Sequence, residues 1–271
     1  MTKVALITGG ASGMGLAVAK ALSLQKDWEI YILDINSERG AETAKELPRT
    51  TFHYANVTKY SDLAAAFQSM FQQHGKLDFV FANAGVIERT NFYSTPQAEN
   101  DMDVCPPPEP DLPSIDADLK GVVFTAYLAQ HYFRHSPHRG HGGSLVMTAS
   151  CGGLYPSFYS PLYSAAKFGV VGFMRSISQH FHASGIRVNA ICPGIVRTNL
   201  VDGTVSHRAD SSKWKRSPGL HLPLEELYGV AVEISDSGFY FRDQHTFCDE
   251  GMREVMDATV VENQVGAVLN G

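Results

Sequence analysis

Short apolar runs alternate with helical patterns along most of the chain, and this rhythm constrains the fold more than any other feature. Strand-like runs fall at Val4–Thr8, Ile30–Leu33, Thr51–Tyr54, Leu77–Ala82, Ser144–Ala149 and Ile186–Ile191, with a last at Gly266–Leu269. Most are unbroken apolar segments, the signature of strands covered on both faces. Helices are expected near 14–25, 37–46, 60–74, 115–135, 161–184 and 251–260. Strand–helix alternation implies right-handed crossovers and a parallel sheet with helices on both sides. The expected fold class is α/β, a doubly wound parallel sheet of about seven strands. With 271 residues, the chain is read as one domain over 1–271.

Two stretches break the rhythm. Residues 92–114 carry Pro96, Pro106, Pro107, Pro108, Pro110 and Pro113. Prolines so dense forbid helix and central strand, so a surface excursion is expected. Residues 199–250 show weak periodicity and are read as a substrate cap.

Composition removes several function classes. With 22 basic and 28 acidic side chains the net charge is −6, which opposes nucleic-acid binding. The whole acidic surplus lies in residues 199–271; residues 1–198 are balanced. No apolar run approaches the ~20 residues that span a bilayer. Cys105, Cys151, Cys192 and Cys248 are scattered, with no C-x-x-C, so free thiols and a cytoplasmic location are expected. His131 and His135 have i, i+4 spacing, but no supporting carboxylate pattern accompanies them, so no metal is expected.

The turn after the first strand reads Thr8-Gly9-Gly10-Ala11-Ser12-Gly13-Met14-Gly15 and opens a helix. Glycines there let backbone amides approach a pyrophosphate, and the helix N-terminus adds partial positive charge. Such a turn alone can be a mere tight connection. Asp34, with Ile35 beside it, ends the second strand about 20 residues on, where a carboxylate accepts from the hydroxyls of an adenine ribose. The same charge repels a 2′-phosphate, which favours NAD over NADP. An ordinary helix cap is the competing reading of Asp34.

The spacing G-x-x-x-G-x-G resembles the short-chain dehydrogenase/reductase family, whose fold is of Rossmann type. Further motifs carry the resemblance. Asn83-Ala84-Gly85 resembles the N-A-G that supports the sheet under the cofactor. Asn56-Val57 stands where the family has Asp-Val against the adenine. Pro193-Gly194-Ile195-Val196-Arg197-Thr198 resembles the P-G-x-V-x-T segment that holds the nicotinamide, which puts Pro193, Gly194, Ile195, Val196 and Thr198 at the cofactor. On the same footing Gly9, Ala11, Ser12, Gly13, Met14 and Gly15 form the cofactor turn.

Tyr163 and Lys167 form Y-x-x-x-K, and i, i+4 residues share a helix face. Alone, this is usually an ordinary surface pair. Ser150 lies 13 residues before Tyr163, which matches the family's Ser-Tyr-Lys set. The chemistry needs such a set: a free phenol titrates near ~10, and reaching ~7 takes roughly 4 kcal/mol of differential stabilisation. An ammonium and a bound nicotinamide ring supply it. Lys167 is further implied to hold the nicotinamide ribose, and Ser150 to orient the substrate oxygen. Where many members carry Asn, this chain has Asp118, a negative charge expected near Lys167; a slip in the correspondence would leave it on a helix surface.

The resemblance implies an NAD-dependent enzyme interconverting a secondary alcohol and a ketone, in a homodimer or homotetramer. Leu154, Tyr155, Phe158, Tyr159 and Leu162, with Phe92, Tyr93 and Trp214, are read as the wall of a pocket for a bulky apolar substrate of lipid, terpenoid, steroid or polyketide type, with ordinary packing or a subunit contact as the competing reading. Among members, those of the prostaglandin-dehydrogenase type are the nearest in general look. Competing readings are an NADP-dependent ketone reductase and a catalytically silent dinucleotide sensor.

Overall fold

The computed structural model describes residues 2–89, 91–94, 106–194, 227–235, 238–257 and 259. Strands β1 (Lys3–Thr8), β2 (Trp28–Asp34), β3 (Thr50–Tyr54), β4 (Phe79–Ala82), β5 (Ser144–Thr148), β6 (Arg187–Pro193), β7 (Ala231–Ser235) and β8 (Gly238–Arg242) form one sheet. Its order is β3-β2-β1-β4-β5-β6-β7-β8. All neighbouring strands pair in parallel except β7 and β8, which form an antiparallel hairpin. The helices are α1 (Gly13–Ser23), α2 (Ser37–Glu46), α3 (Tyr60–His74), α4 (Gly121–His135), α5 (Pro161–Ala183) and α6 (Glu250–Asp257).

Successive strand residues point to opposite faces, and both faces are buried. Leu6, Tyr31, Leu33, Val80 and Met147 meet Phe67, Met70, Ala126, Phe133 and Val170 in the larger core, to which α3, α4 and α5 contribute. Their neighbours Ile7, Ile30, Ile32 and Phe81 meet Ala19 of α1 on the other side. Each such Leu, Ile or Phe removed from water stabilises the fold by about 1.5–3 kcal/mol.

Among the described residues the sheet has eight strands, in line with the expected α/β sheet of about seven, and its last pair is antiparallel. Two expectations are corrected. The extra pair β7 and β8 occupies part of the expected cap at 199–250, whose residues 199–226 lie outside the described residues, as does the strand expected at 266–269. The helix expected over 115–135 is two pieces, a π-helical turn at Ile115–Lys120 followed by α4. The periodicity of the two is too similar to separate over six residues. Among the described residues, no helix is long and apolar enough to cross a membrane.

Strand order reverses between β1 and β4, which creates a crevice outside their carboxyl ends. A buried hydroxyl stitches these two ends together. Thr8 Oγ1 accepts from the amides of Asn83 (2.9 Å) and Ala84 (3.1 Å). Asn83 Nδ2 donates back to the carbonyl of Thr8 (3.2 Å), and Asn83 Oδ1 accepts from Thr148 Oγ1 of β5 (3.1 Å). Thr8→Val keeps the shape but leaves two amides without their acceptor. Urea unfolding should show a loss of about 2–4 kcal/mol; an unchanged midpoint would show that the stitch carries no stability.

Candidate active site

The glycine turn leaves β1 at the crevice. Gly9 adopts φ +65° and Gly13 φ +53°, a region that side chains rarely occupy. Gly15 fills a tighter role: a Cβ there would lie 2.2 Å from the Gly9 carbonyl oxygen. Helix α1 thus starts against the turn itself. Ser12 stands at its N-cap without a side-chain cap bond, and no acid lies in its first turn. The positive end of α1 is uncompensated by its own side chains, which fits an anionic pyrophosphate.

Asp34 lies at the end of β2, across from this turn. Its Oδ2 accepts from the Ala11 amide (3.1 Å) and its Oδ1 from the Asn36 amide (3.0 Å). The Ala11 amide therefore points to Asp34, while Ser12, Gly13 and Met14 remain partly exposed. The helix cap that competed for Asp34 is supplied by Asn36, which accepts from the Arg39 amide. A carboxylate has about four lone-pair sites, so Asp34 keeps capacity for ribose hydroxyls. Ile35 beside it is exposed. Asn56 Oδ1 accepts from the amide and hydroxyl of Thr58, and Val57 packs near Gly121. Pro193 ends β6, and the Gly194 amide donates to the Ile234 carbonyl (2.8 Å). Ile195, Val196 and Thr198 lie outside the described residues.

On the other side of the crevice, α5 carries Tyr163 and Lys167. Lys167 is only 3% exposed. Its Nζ donates to the Thr148 carbonyl at the end of β5 (3.0 Å), lies 3.3 Å from Asp118 Oδ2, and sits 5.5 Å from the Tyr163 ring centre. Asp118 is fully buried on the π-helical turn, not on a helix surface, and its Oδ1 accepts from the Val86 amide (2.7 Å). Burial pushes the Asp118 carboxyl above its ordinary range; the Lys167 charge and the Val86 amide pull the other way. Ser150 follows β5 almost buried, its Oγ accepting from the Gly152 amide (3.1 Å). Gly85 lies against Asp118. Ser150, Tyr163, Lys167 and Asp118 thus come from β5, α5 and the π-helical turn to one end of the sheet.

The expected aromatic wall is not gathered among the described residues. Phe158 and Tyr159 are largely exposed, and Phe92 pairs edge-on with Tyr93 at the surface. Tyr155 binds outward instead, donating to Glu233 of β7 (3.1 Å) and accepting from Arg242 of β8 (3.1 Å). Trp214 lies outside the described residues. The His131 and His135 rings touch at a tilt of 33°, and His138 bonds the Leu77 carbonyl. Cys151, Cys192 and Cys248 are free thiols; burial pushes Cys192 up to about 12. Sequence reasoning missed Glu88, whose Oε2 accepts from the amides of Leu162 and Tyr163.

Comparison with known proteins places these features in a family. Residues 3–209 match the family model described as short chain dehydrogenase. The chain is 86% identical over 282 residues to the short-chain dehydrogenase/reductase prx7 of Penicillium rubens, covering 95% of this chain and 100% of that one. It is 33% identical over 208 residues to the human 15-hydroxyprostaglandin dehydrogenase [NAD(+)], covering 74% and 70%. Among solved structures it resembles a variant of the actinorhodin polyketide ketoreductase with NADPH, with TM-score 0.62, 26% identity and 74% of each chain covered.

The glycine turn yields a direct expectation. Gly15→Ala forces a methyl group onto the Gly9 carbonyl. Calorimetric titration should show dinucleotide affinity reduced ~100-fold or more, the ratio that about 3 kcal/mol of strain produces, with the far-UV dichroism retained. Undiminished affinity would remove the turn from the site.

Proposed function

The chain belongs to the short-chain dehydrogenase family, and from that premise we propose that it is an NAD-dependent alcohol dehydrogenase that interconverts a bulky, apolar secondary alcohol and its ketone. The family makes it an oxidoreductase that uses a nicotinamide dinucleotide on a small molecule. The preference for NAD, the substrate type and the residue roles are our own reading. The observation that carries the reading is the buried Lys167 ammonium held beside the Tyr163 ring.

The residues of the turn, Asp34, Ile35, Asn56, Val57 and Asn83 to Gly85 would hold the dinucleotide, with the segment from Pro193 to Thr198 at its nicotinamide end. When bound, it supplies the hydride acceptor for the carbinol C–H. The protein handles the other hydrogen. Ser150 Oγ holds the substrate oxygen near the phenol, which places the reacting hydroxyl by geometry rather than by chance encounter. Tyr163, as phenolate, takes the hydroxyl proton; in the reverse direction its phenol returns it. Lys167 stabilises the phenolate by charge. Thr148 and Asp118 hold that ammonium in place, so its direction is fixed before substrate arrives.

Asp34 supports NAD, because a carboxylate at the end of β2 opposes a 2′-phosphate. Both cofactor types occur in the names of the relatives, NAD in the human dehydrogenase and NADPH in the ketoreductase. Tyr127 on α4 and Phe168 on α5 expose large apolar surfaces, which supports pairing into a homodimer or homotetramer through these helices.

A panel of secondary alcohols followed by NADH absorbance tests the activity. We expect turnover with NAD, weaker binding of NADP, and a loss of about 10²–10⁴-fold in Tyr163→Phe. NADP binding as tight as NAD would favour the ketone reductase. Dinucleotide binding without turnover of any alcohol or ketone would favour a sensor.

Asp118 generates a separate expectation. As a carboxylate it compensates Lys167; once protonated it does not. Asp118→Asn keeps an acceptor for the Val86 amide and holds position 118 uncharged at every pH, so the Lys167 ammonium stands uncompensated. Lys167 then acts undiminished on the phenol, and the acidic limb of kcat/KM for alcohol oxidation should move to lower pH by about one unit. An unmoved limb would sink this role.

A further inference from the structure

Glu88 has no part in the mechanism above, yet it touches the backbone of its central residue. It lies six positions beyond the end of β4 and reaches across to the start of α5. Its Oε2 accepts from the amide of Leu162 (2.9 Å) and from that of Tyr163 itself (3.0 Å).

The first turn of α5 needs such a partner. The opening residue, Pro161, has no amide hydrogen, and Ser160 makes no side-chain cap bond. No acidic residue lies in the first turn. The amides of Leu162 and Tyr163 are among the four that a helix cannot satisfy internally. Glu88 supplies from 74 residues away the carboxylate that a helix N-terminus favours and that this one lacks locally.

The segment that carries Glu88 also grips the rest of the site. The Asn83 and Ala84 amides bond Thr8 Oγ1 beside the glycine turn, and the Val86 amide bonds Asp118, the partner of Lys167. One stretch of six residues thus touches the turn, the lysine's counter-charge and the backbone of Tyr163. Both donors from α5 converge on one oxygen of Glu88. The other, Oε1, is buried without a hydrogen bond among the described residues. A buried unsatisfied carboxylate oxygen costs stability, which is unexpected of a residue kept for stability alone.

We propose that Glu88 is a positioning residue for Tyr163: by anchoring the first turn of α5 it fixes where the phenol stands relative to Ser150. This rests on the reading of Tyr163 as the proton acceptor. Displacement of a reacting group by ~1 Å can cost ~100-fold in rate, and helix ends fray unless they are held.

The test compares wild type, Glu88→Ala and Glu88→Gln. Hydrogen exchange read by mass spectrometry on peptides covering 161–167 reports the anchor without any substrate. Steady-state kinetics with NAD and an alcohol that the wild type oxidises reports the consequence. We expect exchange at the first turn of α5 to rise at least ~10-fold in Glu88→Ala, as for opening of an end that has lost about 1.4 kcal/mol of support. We expect kcat to fall ~10- to 100-fold with KM for NAD unchanged. Glu88→Gln keeps an oxygen for both amides and should restore both readouts. Should Glu88→Ala fail to fold, Glu88→Asp withdraws the carboxylate by one methylene and should move both readouts in the same direction. Unchanged exchange overturns the proposal whatever the turnover. Raised exchange with wild-type kcat overturns it too, since the anchor would then hold the helix and not the phenol. If the wild type oxidises no alcohol, it is the assignment of function that fails, and exchange still decides whether Glu88 is the anchor.

Discussion

Lys167 lies on a helix that could have turned its ammonium to water, and instead the group is buried. An ammonium taken out of water is expensive unless paired and hydrogen-bonded, and that cost organises everything near it. The Thr148 carbonyl faces Nζ because β5 ends there, and the Asp118 carboxylate faces it because a π-helical turn precedes α4. A regular helix spaces side chains evenly; a π turn shifts the ladder by one residue, and such turns recur at functional sites. Here the shifted turn delivers a fully buried carboxylate to the buried Lys167 ammonium. Replacing the pair with apolar groups would serve stability at least as well. Its retention in this arrangement makes sense for chemistry in which a fixed positive charge is wanted beside a phenol.

Much of this is legible from the chain alone, for identifiable reasons. Strands β1, β2 and β4 are covered on both faces, so their apolar runs are unbroken and stand out from amphipathic helices. Tyr163 and Lys167 are readable as a pair because the helix repeat is local. Asp34 is readable because a strand end and a turn lie at a typical spacing. The hairpin β7–β8 is not. Only Ala231 and Val232 at its start are buried; β8 is the sheet edge, and there Glu233 and Arg242 bond each other and Tyr155. A half-exposed edge has no unbroken apolar signature, so it reads as irregular cap. The π turn escapes for a different reason: its pattern is that of a helix, and only the hydrogen-bond ladder separates them.

The longest-range features are the least legible. Nothing about Glu88 in its own neighbourhood distinguishes it from a solvated acid in a loop. Its role appears only when the fold brings it to a helix whose first residue is Pro161 and whose own cap residue is silent. The missing local cap is a visible signal: a helix start with Pro at the first position, no acid in the first turn and no capping box is a helix that must find its acceptor elsewhere. Absence of a local solution can therefore be read in a sequence, even though the identity of the distant partner cannot. The aromatic residues between Ser150 and Tyr163 show the converse error. Apolar side chains close in sequence to a reaction centre suggest a wall, but Tyr155 turns toward β7 and β8, and Phe158 and Tyr159 face outward.

These contacts link the two halves of the site more tightly than a comparison of motifs suggests. The glycine turn belongs to the β1 side of the crevice and the Tyr-Lys pair to the β5 side, so the two could have been held independently. Instead Asn83 to Glu88 bonds both. A displacement of the turn moves Thr8, Thr8 holds the Asn83 and Ala84 amides, and the same short segment ends on the amide of Tyr163. Along the way it fixes Asp118 and through it Lys167. Packed interiors transmit such shifts because they contain little free space to absorb them. Two motifs some 150 residues apart in the chain are thus bridged by hydrogen bonds from six residues that belong to neither.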